Sequence, residues 1–179
     1  KKVKKILDYY NIKSEILTWH GKKPQNNIQS LARKKRYELL FSKCKKLKVK
    51  NLVIGHHIDD LFENFFIRMI RGSGLKGLVS LGKKKTIDNV NLIRPLLYFN
   101  KKDLEFISNH VFNFFVKDPS NKDIKYKRIK IRNIIQKFED NGLDKNKLSL
   151  TIRNLKKSNN AISFYVDENK KLNSFLRKN

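Results

Sequence analysis

The sequence predicts an open α/β fold: a parallel sheet with flanking helices, followed by a small all-helical region. Three observations carry this. Up to about residue 118, helical apolar spacing alternates with short β-type runs, the order of helix–strand units wound around a sheet. "NLVIG", Asn51 to Gly55, is a short continuous apolar run of the kind buried on both faces of a parallel sheet. Over residues 124–179 no strand pattern appears, and Leu148, Ile152, Leu155, Ile162, Tyr165 and Val166 recur at helical spacing. We place a boundary near Pro119, giving an α/β domain over 1–118 and a helical region over 119–179.

The elements follow in order. Val3, Ile6, Leu7 and Tyr10 make residues 2–10 the end of an amphipathic helix. "SEILTW", Ser14 to Trp19, reads as a short strand, with turn residues from His20 to Pro24 after it. Ile28, Leu31, Ala32, Leu39, Leu40, Phe41, Cys44 and Leu47 fit a long helix, in which Cys44 is a buried structural thiol. After "NLVIG" a helix runs from about Asp59 to Arg71. "KKTIDNVNLIRPLL" reads as a hairpin with Asp88-Asn89 at its turn and Pro95 ending the strand. "KKDLEFISNHVFNFF" is an amphipathic helix closed by the turn "KDPSN", with Phe112, Phe114 and Phe115 read as core.

A net charge of +26 over 179 residues points to a partner made of phosphates, most simply a nucleic acid. The abundance of Lys, Asn, Ile and Phe is also what an A/T-rich genome imposes, so charge alone does not fix the partner. The single cysteine excludes an internal disulfide framework and any all-cysteine metal or iron–sulfur site within this chain. No apolar run approaches the ~18 residues of a membrane span, and no signal-peptide pattern is present. A cytoplasmic location is the expectation.

The stretch from Asn51 to Leu78 places His56, His57, Asp59, Asp60 and Glu63 at a strand's carboxyl end, where open α/β sheets bind ligands. Phe62, Phe65, Phe66 and Met69 form one face of the helix, expected to pack on the sheet, and the carboxylates lie on its flank. Asp60 and Glu63 stand one turn apart and can converge on one point. Three readings compete. Asp59 can cap the helix. The histidines and carboxylates can hold a metal, although the spacing is not that of HExxH zinc sites, and a magnesium ion shared with nucleotide phosphate suits them better. Or Asp60 and Glu63 can hold an ammonium group, since like charges so close repel unless something positive lies between them. The last is preferred. Downstream, "GSGLKG" matches G-x-G-x-x-G but follows a helix, and "GLVSLGKK" falls one residue short of a P-loop; both are rejected, and the glycines are read as ending the helix.

Together these residues resemble the tRNA(Ile)-lysidine synthetases of the PP-loop ATP pyrophosphatase superfamily. "NIQSLARKKRYELL" is similar to the family's A-R-x-x-R-Y helix, here Ala32, Arg33, Arg36 and Tyr37. "GHHIDDLFENFFIRMIRGSGLKGL" resembles its H-H-x-D-D-x-x-E-T segment and R-G-S-G-L-x-G-L loop. "IRPLL" and "DPSNKDIKYKRIKIR" resemble its R-P-L-L strand and D-x-S-N turn with the helix after it. The resemblance covers roughly residues 1–135. Asn64 departs from the usual threonine and Ile129 from a common asparagine. The family's S-G-G-x-D-S phosphate loop is absent, and Lys1 already lies within a helical pattern, so an N-terminally truncated, inactive piece is expected.

The resemblance implies an adenine nucleotide alpha hydrolase-like, Rossmann-like sheet and an ATP-dependent ligase requiring Mg2+. Its partners would be L-lysine and an isoleucine tRNA with a CAU anticodon. It implies lysine binding by Asp60 and Glu63, a catalytic set that adds Arg36 and Arg128, and nucleotide or magnesium contacts from His56, His57 and Asp59. Arg33, Arg36, Arg71, Lys76, Arg128, Lys130 and Arg132 would meet tRNA. No all-protein metal site is assigned, and homodimerisation is left open. The alternatives are another PP-loop tRNA-modifying enzyme, such as a thiolase, for which a single cysteine is unsuited, and a non-catalytic basic RNA-binding module.

Overall fold

The computed structural model describes residues 2–21, 28–116 and 127–173. Its elements are α1 (Lys2–Tyr9), α2 (Ile28–Lys46), β1 (Asn51–Val53), α3 (Ile58–Ile70), α4 (Leu75–Leu78), β2 (Lys84–Ile87), β3 (Val90–Ile93), α5 (Lys101–Phe112), α6 (Lys127–Asp140) and α7 (Lys145–Leu172). They fall into two compact units, Lys1–His56 with Lys83–Lys117, and His57–Gly82 with Asp118–Asn179. The chain passes from the first unit to the second between the two histidines. The boundary expected near Pro119 and the "KDPSN" turn lie outside the described residues.

The first unit is α/β. Its sheet has the order β1-β3-β2, with β1 parallel and β2 antiparallel to β3. The β1–β3 pair is parallel as expected, and the predicted hairpin adds β2 as an antiparallel strand because a two-residue turn returns the chain directly. Asp88 and Asn89 both take positive φ, 47° and 63°, in the two-residue hairpin turn that the sequence predicted. Asn91 fixes the register across all three strands: it donates to Asn51 Oδ1 at 2.9 Å and accepts from Thr86 Oγ1 at 3.1 Å. Val90, Leu92, Leu97 and Cys44 are buried in this unit.

Two strand expectations fail. "SEILTW" forms no strand: Ile16 is exposed, Glu15 instead pairs with Lys43 of α2, and no strand among the described residues supplies a ladder. Alternating β-type residues become a strand only where backbone partners exist. The "NLVIG" strand forms, but as a sheet edge with Val53 62% exposed rather than buried on both faces. In this unit Tyr10 donates to the Val111 carbonyl at 2.7 Å and packs edge-on to Phe112, joining α1 to α5. The helix ends at Asn113 in the left-handed conformation, short of the predicted Phe115.

The second unit is helical among its described residues, as the sequence predicts for the C-terminal region. Phe62, Phe65 and Phe66 of α3 are buried, and Phe66 stacks on Phe138 of α6 at 5.7 Å. Met69, expected on the same face, is 46% exposed because it lies in the last turn, beyond this packing. Ile129, the departure from asparagine, is buried with Ile131 and Ile135. Asp144 caps α7 by accepting from the backbone N–H groups of Asn146 and Lys147. No described helix is long and apolar enough to cross a membrane.

Candidate functional site

The N-terminus of α3 carries the site. Its cap is His57, not Asp59: His57 Nδ1 accepts from the Asp59 N–H at 3.3 Å, while Asp60 Oδ2 accepts from the His57 N–H at 3.1 Å. This is a capping box with histidine in the serine place. Asp59 is displaced from capping because it already lies inside the first turn. Since Nδ1 accepts, a neutral His57 carries its proton on Nε2.

Asp60 and Glu63 do converge. Arg128 Nη1 of α6 lies 3.5 Å from Asp60 Oδ1 and 3.4 Å from Glu63 Oε2, bridging the facing oxygens of the two carboxylates. Arg132, one turn further along α6, donates from Nε to the other Glu63 oxygen at 2.5 Å. The positive group required by paired carboxylates is thus supplied here by the protein itself. Glu63 is 1% exposed, and burial raises its carboxyl above the ordinary value. The bond and charge of Arg132 and the charge of Arg128 oppose that rise, while Asp60 adds to it. On the outer side, Asp59 Oδ2 is 3.7 Å from His57 Nδ1, and Lys145 Nζ is 4.0 Å from Asp59 Oδ1 and 2.8 Å from Glu139.

His56 belongs to the sheet-bearing unit. There the buried Arg94 donates from Nε to His56 Nδ1 at 3.0 Å. A guanidinium can only donate, so Nδ1 must present its lone pair, and the neutral ring carries its proton on Nε2. With Nδ1 engaged by Arg94, His56 is a poor metal ligand through that nitrogen. No cluster of His, Cys, Asp or Glu able to hold a metal occurs among the described residues. Asp59, partly exposed and held only by long contacts, is the carboxylate best suited to one position on a magnesium ion otherwise bound by phosphate and water.

The arginines and lysines expected at RNA divide by exposure. Arg36 of α2, Arg71, Lys76 and Lys130 are exposed. Arg33 is not presented in the same way: it donates to the Tyr37 hydroxyl at 3.3 Å and lies over that ring. Arg128 and Arg132 serve the carboxylates. At the other end of α3, Gly72 takes φ 66°, with Gly72 N–H on the Met69 carbonyl and Ser73 N–H on the Arg68 carbonyl. This Schellman closure is the helix-ending role predicted for the glycines. Asn64 donates to Ser80 Oγ at 3.3 Å, so the departure from threonine ties α3 to the loop after α4.

Sequence reasoning missed Arg94, Lys145 and Glu139. A signal existed for Arg94: an arginine between Ile93 and Pro95 in an apolar strand end must find a partner if buried. None existed for Lys145, which meets Asp59 and Glu139 only through folding.

The PP-loop domain family matches residues 1–138. The chain belongs to the PP-loop family. Membership in the PP-loop family implies use of ATP. A tRNA(Ile)-lysidine synthase of Wolbachia sp. subsp. Brugia malayi (strain TRS) is 39% identical over 86% of this chain and 36% of its own length. The synthase of that name from Orientia tsutsugamushi (strain Boryong) is 38% identical over 87% of this chain and 38% of its own. This PP-loop chain thus spans little more than a third of the curated relatives it matches. Among solved structures, the U34-tRNA thiolase NcsA of Methanococcus maripaludis superposes with a TM-score of 0.66 at 20% identity, over 87% of this chain and 54% of that one. At that identity the likeness shows the fold alone.

Proposed function

We propose that this PP-loop chain is part of a tRNA-modifying ligase that joins lysine to C2 of the wobble cytidine of an isoleucine tRNA with a CAU anticodon, forming lysidine. The observation that carries the reading is the facing pair of Asp60 and Glu63, whose oxygens already bridge one cation of the chain's own. The names of the relatives supply the substrate class.

The chemistry balances in two steps. The cytidine O2 attacks the α-phosphorus of ATP, forming a C–O–P bond and releasing pyrophosphate. The neutral amine of lysine then attacks C2, a C–N bond forms, the C–O bond breaks, and AMP leaves with the oxygen. Asp60 and Glu63 hold the amino acid by its positive charge, and a carboxylate there can accept the proton that the amine loses. His56, donating from Nε2, suits a nucleotide oxygen, and His57 and Asp59 stand beside it in sequence. Mg2+, when bound with the nucleotide, would neutralise phosphate charge, with Asp59 as its protein ligand. Arg36 and Arg128 are each suited to tRNA phosphate or developing negative charge. No S-G-G-x-D-S loop stands in these residues, so the chain by itself is expected to lack turnover.

One rival reading has specific support, and a second has only the shared fold. The arginines already neutralise the carboxylates, as they would in an RNA-binding module whose ion pairs are only structural. A thiolase reading rests on the shared fold, but Cys44 is this chain's only cysteine and is buried. The test follows labelled lysine into an isoleucine tRNA transcript with ATP and magnesium, in the complete natural protein carrying this chain. Asp60→Asn with Glu63→Gln is expected to abolish transfer while RNA binding persists. Lysine transfer at the unaltered rate in that double variant would remove the assignment.

A further inference from the structure

The lysine reading needs the carboxylate pair for a substrate, yet Arg128 occupies it. The two arginines hold it differently. Arg132 donates directly to Glu63 Oε1, while Arg128 contacts the other oxygen, Oε2. Arg128 reaches both facing oxygens from one nitrogen, at 3.4 and 3.5 Å, well beyond the ~2.7–2.9 Å of a tight charged hydrogen bond. Its side chain is 36% exposed and springs from the first turn of α6, so it can swing into water without disturbing the buried isoleucines of that helix.

Charge counting separates the roles further. Two carboxylates and two guanidiniums sum to zero. With Arg128 withdrawn, one negative charge remains between Asp60 Oδ1 and Glu63 Oε2, the complement of one ammonium group. Arg132 stays behind, bonded to the buried Glu63. His57, whose Nε2 is 3.7 Å from Asp60 Oδ2, faces the far oxygen and does not compete for the bridging place.

We propose that Arg128 is a resident counter-ion of the Asp60–Glu63 pair which the substrate's ammonium group displaces one for one, releasing a guanidinium to bind RNA phosphate. The proposal rests on the lysine reading above and adds a coupling to it. Lysine and RNA then bind with positive linkage, and linkage is reciprocal: RNA that draws Arg128 away opens the pair to lysine. Arg132 acts as a positioning residue, holding Glu63 in place through the exchange. An empty pair is never left uncompensated, which would be costly at a site this buried.

The experiment uses the complete natural protein and calorimetric titration of L-lysine. Arg128→Gln removes the competitor and is expected to tighten lysine binding about fivefold, the scale of a partly exposed ion pair. Arg128→Lys keeps a competing charge and is expected to stay within about twofold of the unaltered protein. The unaltered protein gives a second reading that depends on no variant. Saturating lysine should steepen the log–log salt dependence of tRNA binding by about 0.7–0.9, one added phosphate contact. If the unaltered protein binds lysine while Arg128→Gln binds it equally or more weakly, the exchange is overturned and the lysine site stands. An unchanged salt slope at saturating lysine also overturns it. If the unaltered protein binds no lysine, the substrate reading fails and the exchange fails with it.

Discussion

Glu63 meets two guanidinium groups, yet burial prevails and its carboxyl is raised above the ordinary value near 4.5. For an acid raised on folding, the folded state holds the proton more tightly than the unfolded state, so stability falls as pH rises. Its contribution is full below about pH 4.5 and is lost as the pH climbs through the folded value. Glu63→Gln removes the titrating carboxyl. Chemical denaturation from pH 4 to 8 should show the variant's stability less dependent on pH than that of the unaltered protein. Arg132→Gln, by removing the largest group opposing the rise, should make the fall steeper. Parallel curves for all three proteins would mean that Glu63 keeps an ordinary carboxyl in the folded state. How much of this site was legible follows from distance along the chain. The meeting of Asp60 and Glu63 is fixed by one helical turn and can be read directly. The Arg94–His56 pair spans 38 residues, and the Arg128 and Arg132 contacts span more, so only folding reveals them. His57 was hidden as a cap for another reason: the acidic residues beside it are the commoner cap types.

At the scale of the element, α3 is held at both ends by local chemistry, a capping box before it and a Schellman closure after it. Gly72 is the one residue there whose backbone demands glycine, because φ 66° is disfavoured for any side chain bearing a Cβ. A Cβ at this place would meet nothing within 4 Å, so Gly72→Ala tests conformation without steric conflict. It should lower stability by about 1 kcal/mol, seen as a lower denaturant midpoint with unchanged slope. An unaltered midpoint would show that the loop relaxes freely and does not set the helix end. The same locality explains which elements the sequence revealed. The hairpin at Asp88-Asn89 and the end of α3 are specified by residues that favour their own conformations. "SEILTW" and the burial of "NLVIG" depend on what lies alongside, and neither is written in the segment itself. Val53, apolar and at the sheet edge, has the residue type of a core position and the exposure of a surface one.

Across the whole chain, a charge of +26 is either an RNA-binding device or a by-product of composition, and the two make different predictions. A compositional charge is diffuse: any exposed lysine contributes equally to attraction for a polyanion. An interface concentrates it, so only side chains that reach phosphate release counter-ions and set the salt dependence. Arg36, Arg71, Lys76 and Lys130 are exposed and lie in the segments whose motifs carry the family resemblance, whereas Lys4, Lys5, Lys101 and Lys102 are exposed and lie outside them. Replacing each set of four with glutamine removes the same formal charge. The first replacement should reduce the log–log salt slope of tRNA binding by about one per side chain, and the second by less than about one in total. Equal reductions would mean that the charge is spread without regard to a binding face. In that case the carboxylate pair, and not the basic surface, would have to supply the selectivity of the protein.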